Sequence, residues 1–273
     1  MTLRSLLRDL TPPIILRLLR PAPTPKRVEV ARKHVVQAGP LQGLELLVND
    51  AQPAFREMIS GSYDDYIWAA MPSTLAGGVV LDIGGHIGYH TLGLAAKYPS
   101  CKVVVFEPNP ANVERLEKHV EMNATVADRI EIRPVALSDG NGNAVFNLSS
   151  NIDDQTSSGS YLQDGSPPLD AAIYERSGFV RTEVAVHRLD DLAKLEHWAP
   201  VQLMKIDVEG AEHLVLAGAE EVLQRDHPIL LIEIHSVVCM LKVLELIHPL
   251  GYSTELLHED RASRCFIAAR AVR

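Results

Sequence analysis

The segment VVLDIGGHIGYHTL, residues 79–92, sets an acid and three glycines between an apolar run and a helical pattern. This order predicts a strand, a tight turn and a helix, because glycines let the backbone turn sharply and let a ligand approach main-chain N–H groups. Glycines also end strands for purely structural reasons. The candidate ligand contacts in this turn are Asp82, Gly84, Gly85, His86 and Gly88.

A second buried strand follows in KVVVFEPNP and ends in Glu107, about 25 residues after Asp82. That distance is about one strand–helix–strand unit, so Glu107 is expected beside the first turn, where it would accept both hydroxyls of a ribose. Pro108 and Asn109 are further candidate cofactor contacts. The turn lacks the G-x-G-x-x-G form that binds a pyrophosphate, and its carboxylate suits a cationic ligand with an ammonium group. S-adenosylmethionine is such a ligand.

Charged residues also follow two later strands, within LMKIDVEGAEHLVLAGA and PILLIEIH. A strand that is buried on both faces should stay apolar to its end, so Asp207, Glu209, Glu233 and His235 need a reason. Glu209 could favour the N-terminus of a following helix, and His235 could be a satisfied core residue. Their convergence at neighbouring strand ends, beside the predicted cofactor turn, instead favours a site.

For that site, Asp207, Glu209 and His235 are the candidate catalytic residues. His235 is the preferred general base because an imidazole titrates near neutral pH. Asp207 is also a candidate contact for the amino group of the cofactor. As a less favoured alternative, Asp207, Glu233 and His235 would hold a divalent cation.

Strand and helix patterns alternate from residue 79 onward and predict an α/β fold with a doubly wound, mostly parallel, seven-stranded Rossmann-like sheet. Strands are expected near 79–84, 102–107, 130–136, 202–207, 228–234, 252–257 and 265–270. Helices are expected near 87–97, 110–122, 212–224 and 237–249. The last two strands have a short connection, so they must pair antiparallel.

Three regions are expected along the chain: a basic amphipathic helical arm with a proline-rich linker (1–25), a small extension with a hairpin (26–75), and the cofactor-binding domain (76–273). The arm, residues 1–20, would dock on its own domain or touch a membrane surface. A net charge of −9 argues against nucleic acid as a partner. Three widely spaced cysteines are typical of a reducing compartment, so a cytoplasmic protein is expected.

A long polar connection lies between the third and fourth strands of the predicted sheet and includes residues 151–168. Long connections of this kind are lids, binding loops or flexible inserts. Asn151, Asp153, Asp154, Gln155 and Tyr161 are the hydrogen-bonding and stacking groups that a polyhydroxylated ligand would need.

Taken together, these motifs resemble the FkbM family of S-adenosylmethionine-dependent methyltransferases. The matching segments, between about Tyr63 and Ile234, are VVLDIGGHIGYHTL, VVFEPNP, IRPVALSD, RLDDL and MKIDVEGAE. Gly85 and His86 stand where the family usually has Ala and Asn. The resemblance implies O-methylation of a sugar, glycan or natural-product hydroxyl. An NAD-dependent oxidoreductase and a catalytically silent cofactor-binding protein remain as alternatives.

Overall fold

The computed structural model describes residues 31–148, 159–165, 180–259 and 264–272. The arm and linker of residues 1–25 lie outside these ranges, so the prediction of a membrane contact through residues 1–20 stays a prediction. Among the helices of the described ranges, none combines the length and the apolar character needed to cross a bilayer.

The described strands, in chain order, are β1 (Arg32–Val35), β2 (Glu45–Val48), β3 (Gly78–Ile83), β4 (Cys101–Phe106), β5 (Ile130–Arg133), β6 (Ala136–Leu137), β7 (Gly142–Leu148), β8 (Tyr161–Leu162), β9 (Val180–His187), β10 (Val201–Ile206), β11 (Ile229–Ile234), β12 (Tyr252–Glu259) and β13 (Cys265–Ala271).

The described helices are α1 (Pro53–Ser60), α2 (Asp65–Ala70), α3 (Tyr89–Lys97), α4 (Pro110–Met122), α5 (Ala124–Ala127), α6 (Leu189–Leu195), α7 (Glu212–Ala217), α8 (Glu220–Asp226) and α9 (Val237–Ile247), followed by a 3-10 turn at His248–Leu250.

Seven strands form the main sheet in the order β12-β13-β11-β10-β3-β4-β5. The pairs from β11 to β5 are parallel, while β13 pairs antiparallel with both β11 and β12. The predicted mostly parallel sheet with an antiparallel last strand is therefore confirmed. Parallel strands end at one edge of the sheet, so the segments after β4, β3, β10 and β11 meet there.

Both faces of this sheet are covered by apolar cores. Successive side chains of a strand point to opposite faces, and Val79 and Leu81 accordingly pack with helices α6 to α9, whereas Val80 packs on the other side with α3. The hairpin β1–β2 and helices α1 and α2 join that second core through Leu46, Phe55 and others. Residues of α1 and α2 and of the segment between them thereby cover the space at the carboxyl ends of the parallel strands.

Two predicted elements are wrong in their extent. The strand expected at 130–136 ends at Arg133, because Pro134 has no N–H for the ladder, and β6 then belongs to another sheet. The helix expected at 212–224 is two helices, because the Gly218 carbonyl accepts from the Asp190 amide at 2.9 Å. Asp190 also caps α8 by accepting from the amide of Val222 at 3.0 Å.

The long connection carries a second, four-stranded sheet in the order β6-β9-β7-β8. β7 pairs antiparallel along its whole length with β9 and over two residues with β8. Residues 149–158 and 166–179 lie outside the described ranges, and with them Asn151, Asp153, Asp154 and Gln155. Tyr161 is described, and it is a buried residue of β8.

Candidate functional site

A cavity of about 370 Å³ opens where β3, β4, β10 and β11 end. It runs from the Gly84 turn and Glu107 to a group of carboxylates after β10 and β11. The polar and aromatic residues of its wall include Tyr63, Asp64, Tyr66, His86, Glu107, Asn112, Asp207, Glu209, Glu233, His258, Arg264 and Phe266. Neighbouring strands lie about 4.8 Å apart, so Glu107 and Glu233, three strands apart, mark two ends about 14 Å from each other.

Glu107 lies at the first end of the cavity, in the position predicted for a residue that binds a ribose. Its carboxylate accepts from the amide of His86 at 2.8 Å and from the amide of Asn109 at 2.9 Å. Burial raises the pKa of Glu107 to about 7, although these hydrogen bonds act to lower it. The side chain thus fixes the two loops of the turn together and still forms part of the cavity wall.

Gly84 and His86 line the same end. A Cβ on Gly84 would lie 1.8 Å from the carbonyl oxygen of Asp207, so only glycine allows these two strand ends to meet. His86 has a φ of 50°, a left-handed conformation in which Asn and His are enriched among non-glycine residues. This conformation explains how His can stand where the family that the sequence resembles usually has Asn. Burial lowers the pKa of His86 to about 4, which keeps the ring neutral.

Three predicted cofactor contacts have structural roles and are not part of the cavity wall. Gly85 and Gly88 allow close packing, since a Cβ would lie 2.1 Å from Val105 and 2.3 Å from Leu116, respectively. Asn109 caps α4 by accepting from the amide of Ala111 at 3.0 Å. Pro108, by contrast, lies in the wall.

Asp82 is fully buried beneath the turn and also does not reach the cavity. One carboxylate oxygen accepts from the Thr91 hydroxyl at 2.6 Å, and the other lies 3.6 Å from the ammonium of Lys205. Lys205 also lies 3.3 Å from Asp207 Oδ2. Asp82 is therefore a positioning residue for Lys205, and its direct contact with a cofactor stays a prediction.

Asp207 lines the cavity at the end of β10, as predicted. Burial acts to raise the pKa of Asp207, but Lys205 and then His235 lower it below its usual range. Asp207 is consequently an anion at neutral pH. That state suits contact with a cation and makes Asp207 a weak general base.

His235 lies behind the cavity wall and is 2% exposed. Its Nδ1 contacts Glu212 Oε1 at 2.6 Å, and its Nε2 lies 3.3 Å from Glu209 Oε2 and 3.4 Å from Glu233 Oε1. Burial alone would lower the pKa of His235, but Glu209 and Glu212 raise it well above its usual value. A raised pKa favours the protonated ring, which does not suit the role of general base predicted for His235.

Glu209 and Glu233 both line the cavity. Glu209 has a φ of 55° and accepts from the amide of Gly159 at 3.0 Å, so it ties the long connection to the end of β10. Burial raises its pKa. Burial, followed by the charge of Asp207, raises the pKa of Glu233 to about 7.

Asp64, which sequence analysis missed, brings a further carboxylate to this end from the N-terminal extension. It precedes α2 with a φ of 55° and accepts from the Tyr66 hydroxyl at 2.9 Å. Its other contact is the ring of His90 at 3.3 Å, which burial keeps neutral by holding its pKa well below the usual value. Burial raises the pKa of Asp64 to about 7. The only signal in the sequence is the acidic and aromatic run YDDY.

Aromatic rings form the wall beside Asp64. Tyr66 stacks on His258 with ring centroids 4.7 Å apart, and its ring meets Phe266 edge-on at 4.8 Å. All three residues line the cavity. The carboxylate end thus combines charged acceptors with flat apolar surface, which is the composition expected of a site for a small organic ligand.

Backbone strain is concentrated at this cavity. Of the five described non-glycine residues with positive φ, Asp64, His86 and Glu209 belong to its wall. Such conformations cost about 1–3 kcal/mol each and cluster at functional sites. The cavity is therefore the strongest candidate for the active site in the described part of the chain.

Comparison with known proteins gives the family. The sequence pattern described as "Methyltransferase FkbM domain" matches residues 82–253, which include both strand-end clusters. The chain belongs to the FkbM methyltransferase family. The predicted resemblance is confirmed by this match.

Two curated relatives are methyltransferases. One is "Methyltransferase 1" of Beauveria bassiana, 28% identical over 149 residues, which are 52% of this chain and 58% of the relative. The other is "2-O-methyltransferase NoeI" of Sinorhizobium fredii, 30% identical over 150 residues, which are 54% of this chain and 59% of the relative. The chain therefore spans less than three fifths of either relative.

A solved structure supports the fold. The FkbM methyltransferase from Methylobacillus flagellatus is 19% identical and superposes with a TM-score of 0.52, over 73% of this chain and 45% of that one. At this identity the likeness concerns the FkbM fold alone. It agrees with the Rossmann-like sheet predicted from the sequence.

Proposed function

We propose that this protein is an S-adenosylmethionine-dependent O-methyltransferase that acts on a hydroxyl of a sugar, glycan or polyhydroxylated natural product. One observation carries the proposal. A single cavity joins a ribose-type carboxylate, Glu107, to the carboxylates of Asp64, Asp207 and Glu233. Family membership supplies methyl transfer, and the two ends of the cavity divide the cofactor from the acceptor.

The residues present fit S-adenosylmethionine. Gly84 lines the cavity next to Glu107, which lies in the wall and would accept the ribose hydroxyls. Asp207 is an anion at the boundary between the two ends, where it would receive the ammonium group. When bound, the cofactor supplies an activated methyl group on a cationic sulfonium. The anionic Asp207 attracts that positive charge, and the neutral His86 does not repel it.

Removal of the acceptor proton is assigned to Asp64. A general base works best when its pKa is near the working pH, and Asp64 has a pKa of about 7 and lines the cavity. Its described contacts, Tyr66 and the neutral His90, leave it without a strong cationic partner. Glu209, another catalytic residue predicted from sequence, is assigned to orienting the acceptor by hydrogen bonds, whereas Asp207 is assigned to the ammonium group of the cofactor.

A hydroxyl-rich acceptor fits the second end. Ring faces of Tyr66, His258 and Phe266 offer apolar surface for the C–H faces of a sugar, while the carboxylates accept from its hydroxyls. Charged acceptors make such hydrogen bonds about twice as strong as neutral ones. The relative NoeI, a 2-O-methyltransferase, supports oxygen as the methylated atom.

The test is methyl transfer to a panel of neutral sugars and glycosides, with the demethylated cofactor as the readout. We expect turnover with a hydroxyl acceptor and none with its O-methylated form. Binding of S-adenosylmethionine without turnover on any hydroxyl acceptor would favour the silent cofactor-binding alternative. Binding of NADH in its place would favour the oxidoreductase alternative.

A further inference from the structure

His235 is a buried ring whose outer nitrogen has no hydrogen bond. Nε2 is a buried polar atom without a hydrogen-bond partner in the described part of the protein, although three carboxylates surround it. Its distances to Glu209 Oε2, Glu233 Oε1 and Asp207 Oδ1 are 3.3, 3.4 and 3.8 Å. These contacts are longer than a charge-assisted hydrogen bond, which is about 2.7–2.9 Å. Nε2 therefore faces the three carboxylates at ion-pair distances and makes no short hydrogen bond to any one of them.

The orientation of the ring is fixed from behind. Nδ1 contacts Glu212 Oε1 at 2.6 Å, and Glu212 is fully buried and also accepts from the amide of Gly210 at 2.9 Å. A carboxylate that holds one ring nitrogen and leaves the other to face a cation is the usual arrangement behind a metal-binding histidine. When an ion replaces the proton on Nε2, the remaining proton stays on Nδ1, and the Nε2 lone pair faces the ion.

We propose that Asp207, Glu233 and His235 bind one divalent cation of the Mg²⁺ and Mn²⁺ class at the acceptor end of the cavity. One ligand atom from each of the three lies within 4.8 Å of the other two. Ligand atoms about 2.1 Å from an octahedral ion lie about 3 Å apart at right angles and about 4.2 Å apart across it. The separations of 3.4 and 3.8 Å from Nε2 fall in this range.

The neighbouring cations define which oxygens remain for the ion. Lys205 lies 3.3 Å from Asp207 Oδ2, which leaves Oδ1 on the side of His235. Arg264 Nη1 lies 3.3 Å from Glu233 Oε1 and would compete with the ion for that oxygen. Carboxylate oxygens suit Mg²⁺ and Mn²⁺, and an imidazole ligand shifts the preference toward Mn²⁺.

The site deepens the proposed function, because an ion there would lower the cost of deprotonating an acceptor hydroxyl that reaches it. The catalytic role of such an ion rests on the proposed function. The binding site itself does not, since it is formed by residues of the chain alone.

Mn²⁺ binding to the full chain, stripped with a chelator and free of S-adenosylmethionine, tests the site. The electron paramagnetic resonance signal of free Mn²⁺ should fall by one ion per chain. Glu233→Gln and His235→Gln should weaken binding at least tenfold, and Arg264→Gln should tighten it. Glu114→Gln, at an exposed glutamate of α4, is the control and should bind as the wild type does. An undiminished free signal at ~1 mM Mn²⁺, or unchanged binding in both ligand variants, would overturn the site.

A second measurement uses the wild type alone, because a buried variant can fail to fold. Electron spin echo spectra of the bound Mn²⁺ should show modulation from a directly bound nitrogen. Bound Mn²⁺ without that modulation contradicts ligation by His235. Titration with S-adenosylmethionine in the same metal-free sample separates the two proposals. Cofactor binding without Mn²⁺ binding overturns only the cation site. Mn²⁺ binding without cofactor binding overturns only the proposed function.

Discussion

The ammonium of Lys205 lies 3.6 Å from Asp82 and 3.3 Å from Asp207, so it joins a carboxylate under the cofactor turn to one in the cavity wall. Both Lys205 and Asp82 are almost fully buried. Breaking a buried ion pair leaves an uncompensated charge, which is far more costly than losing an exposed pair.

We therefore expect Lys205→Met to lower the free energy of unfolding by about 3–5 kcal/mol, measured by urea denaturation. The double variant Lys205→Met, Asp82→Asn should recover part of this loss, because it also removes the buried charge of Asp82, which Lys205→Met leaves without its partner. Lys194→Met, at an exposed lysine that contacts Glu221, is the control and should change stability by about 1 kcal/mol or less. A loss below 1 kcal/mol in Lys205→Met would show that the buried pair is not a structural link.

Tyr66→Phe should move the pH profile of methyl transfer. The Tyr66 hydroxyl donates to Asp64 and so favours the carboxylate, which lowers the pKa of Asp64. Its removal should shift the rising limb of kcat/KM to higher pH without changing the maximum greatly.

Asp64→Asn should cut kcat by roughly 10²-fold or more while cofactor affinity is kept. A profile that stays in place in Tyr66→Phe would remove Asp64 from the role of base.

Asp64→Asn should stabilise the ligand-free protein at high pH. The pKa of Asp64 is raised from 3.8 to about 7 by burial, so between these pH values the folded state binds more protons than the unfolded state and stability falls as pH rises. The variant has no such penalty. Its advantage in thermal stability over the wild type should grow from about pH 4 to about pH 7 and then level off. An advantage that does not change with pH would show that folding does not raise the pKa of Asp64.

His86→Asn and His86→Val separate conformation from side-chain chemistry. Both remove the ring, but Asn accepts the left-handed φ of 50°, whereas a β-branched side chain does not. We expect S-adenosylmethionine affinity and stability close to the wild type in His86→Asn, and loss of both in His86→Val. Calorimetry and thermal melting check this. Equal losses in the two variants would mean that the imidazole itself contacts the cofactor.

The sequence predicts the sheet and the strand ends well because both depend on local patterns. Glu107 and Asp207 follow buried strands directly, and parallel strands place them at one edge. Asp64 escapes prediction because it comes from the N-terminal extension, whose packing over that edge leaves no periodic signal. His235 follows its strand directly, as the sequence predicts, but its pKa and ring orientation depend on Glu212, a helix residue that no spacing rule identifies as its partner.

The proposed function depends first on cofactor binding at Glu107, and titration calorimetry with S-adenosylmethionine tests that binding most directly. The wild type should bind, and Glu107→Ala should bind at least tenfold more weakly, because each hydrogen bond to a charged group contributes about 1.5–3 kcal/mol. Glu121→Ala, at an exposed glutamate of α4, is the matched control and should bind as the wild type does. Thermal melting must show that Glu107→Ala is folded at the titration temperature, since its carboxylate also holds the amides of His86 and Asn109. Equal affinity in Glu107→Ala and the wild type, or no binding by the wild type, would contradict the assignment of the cavity to S-adenosylmethionine.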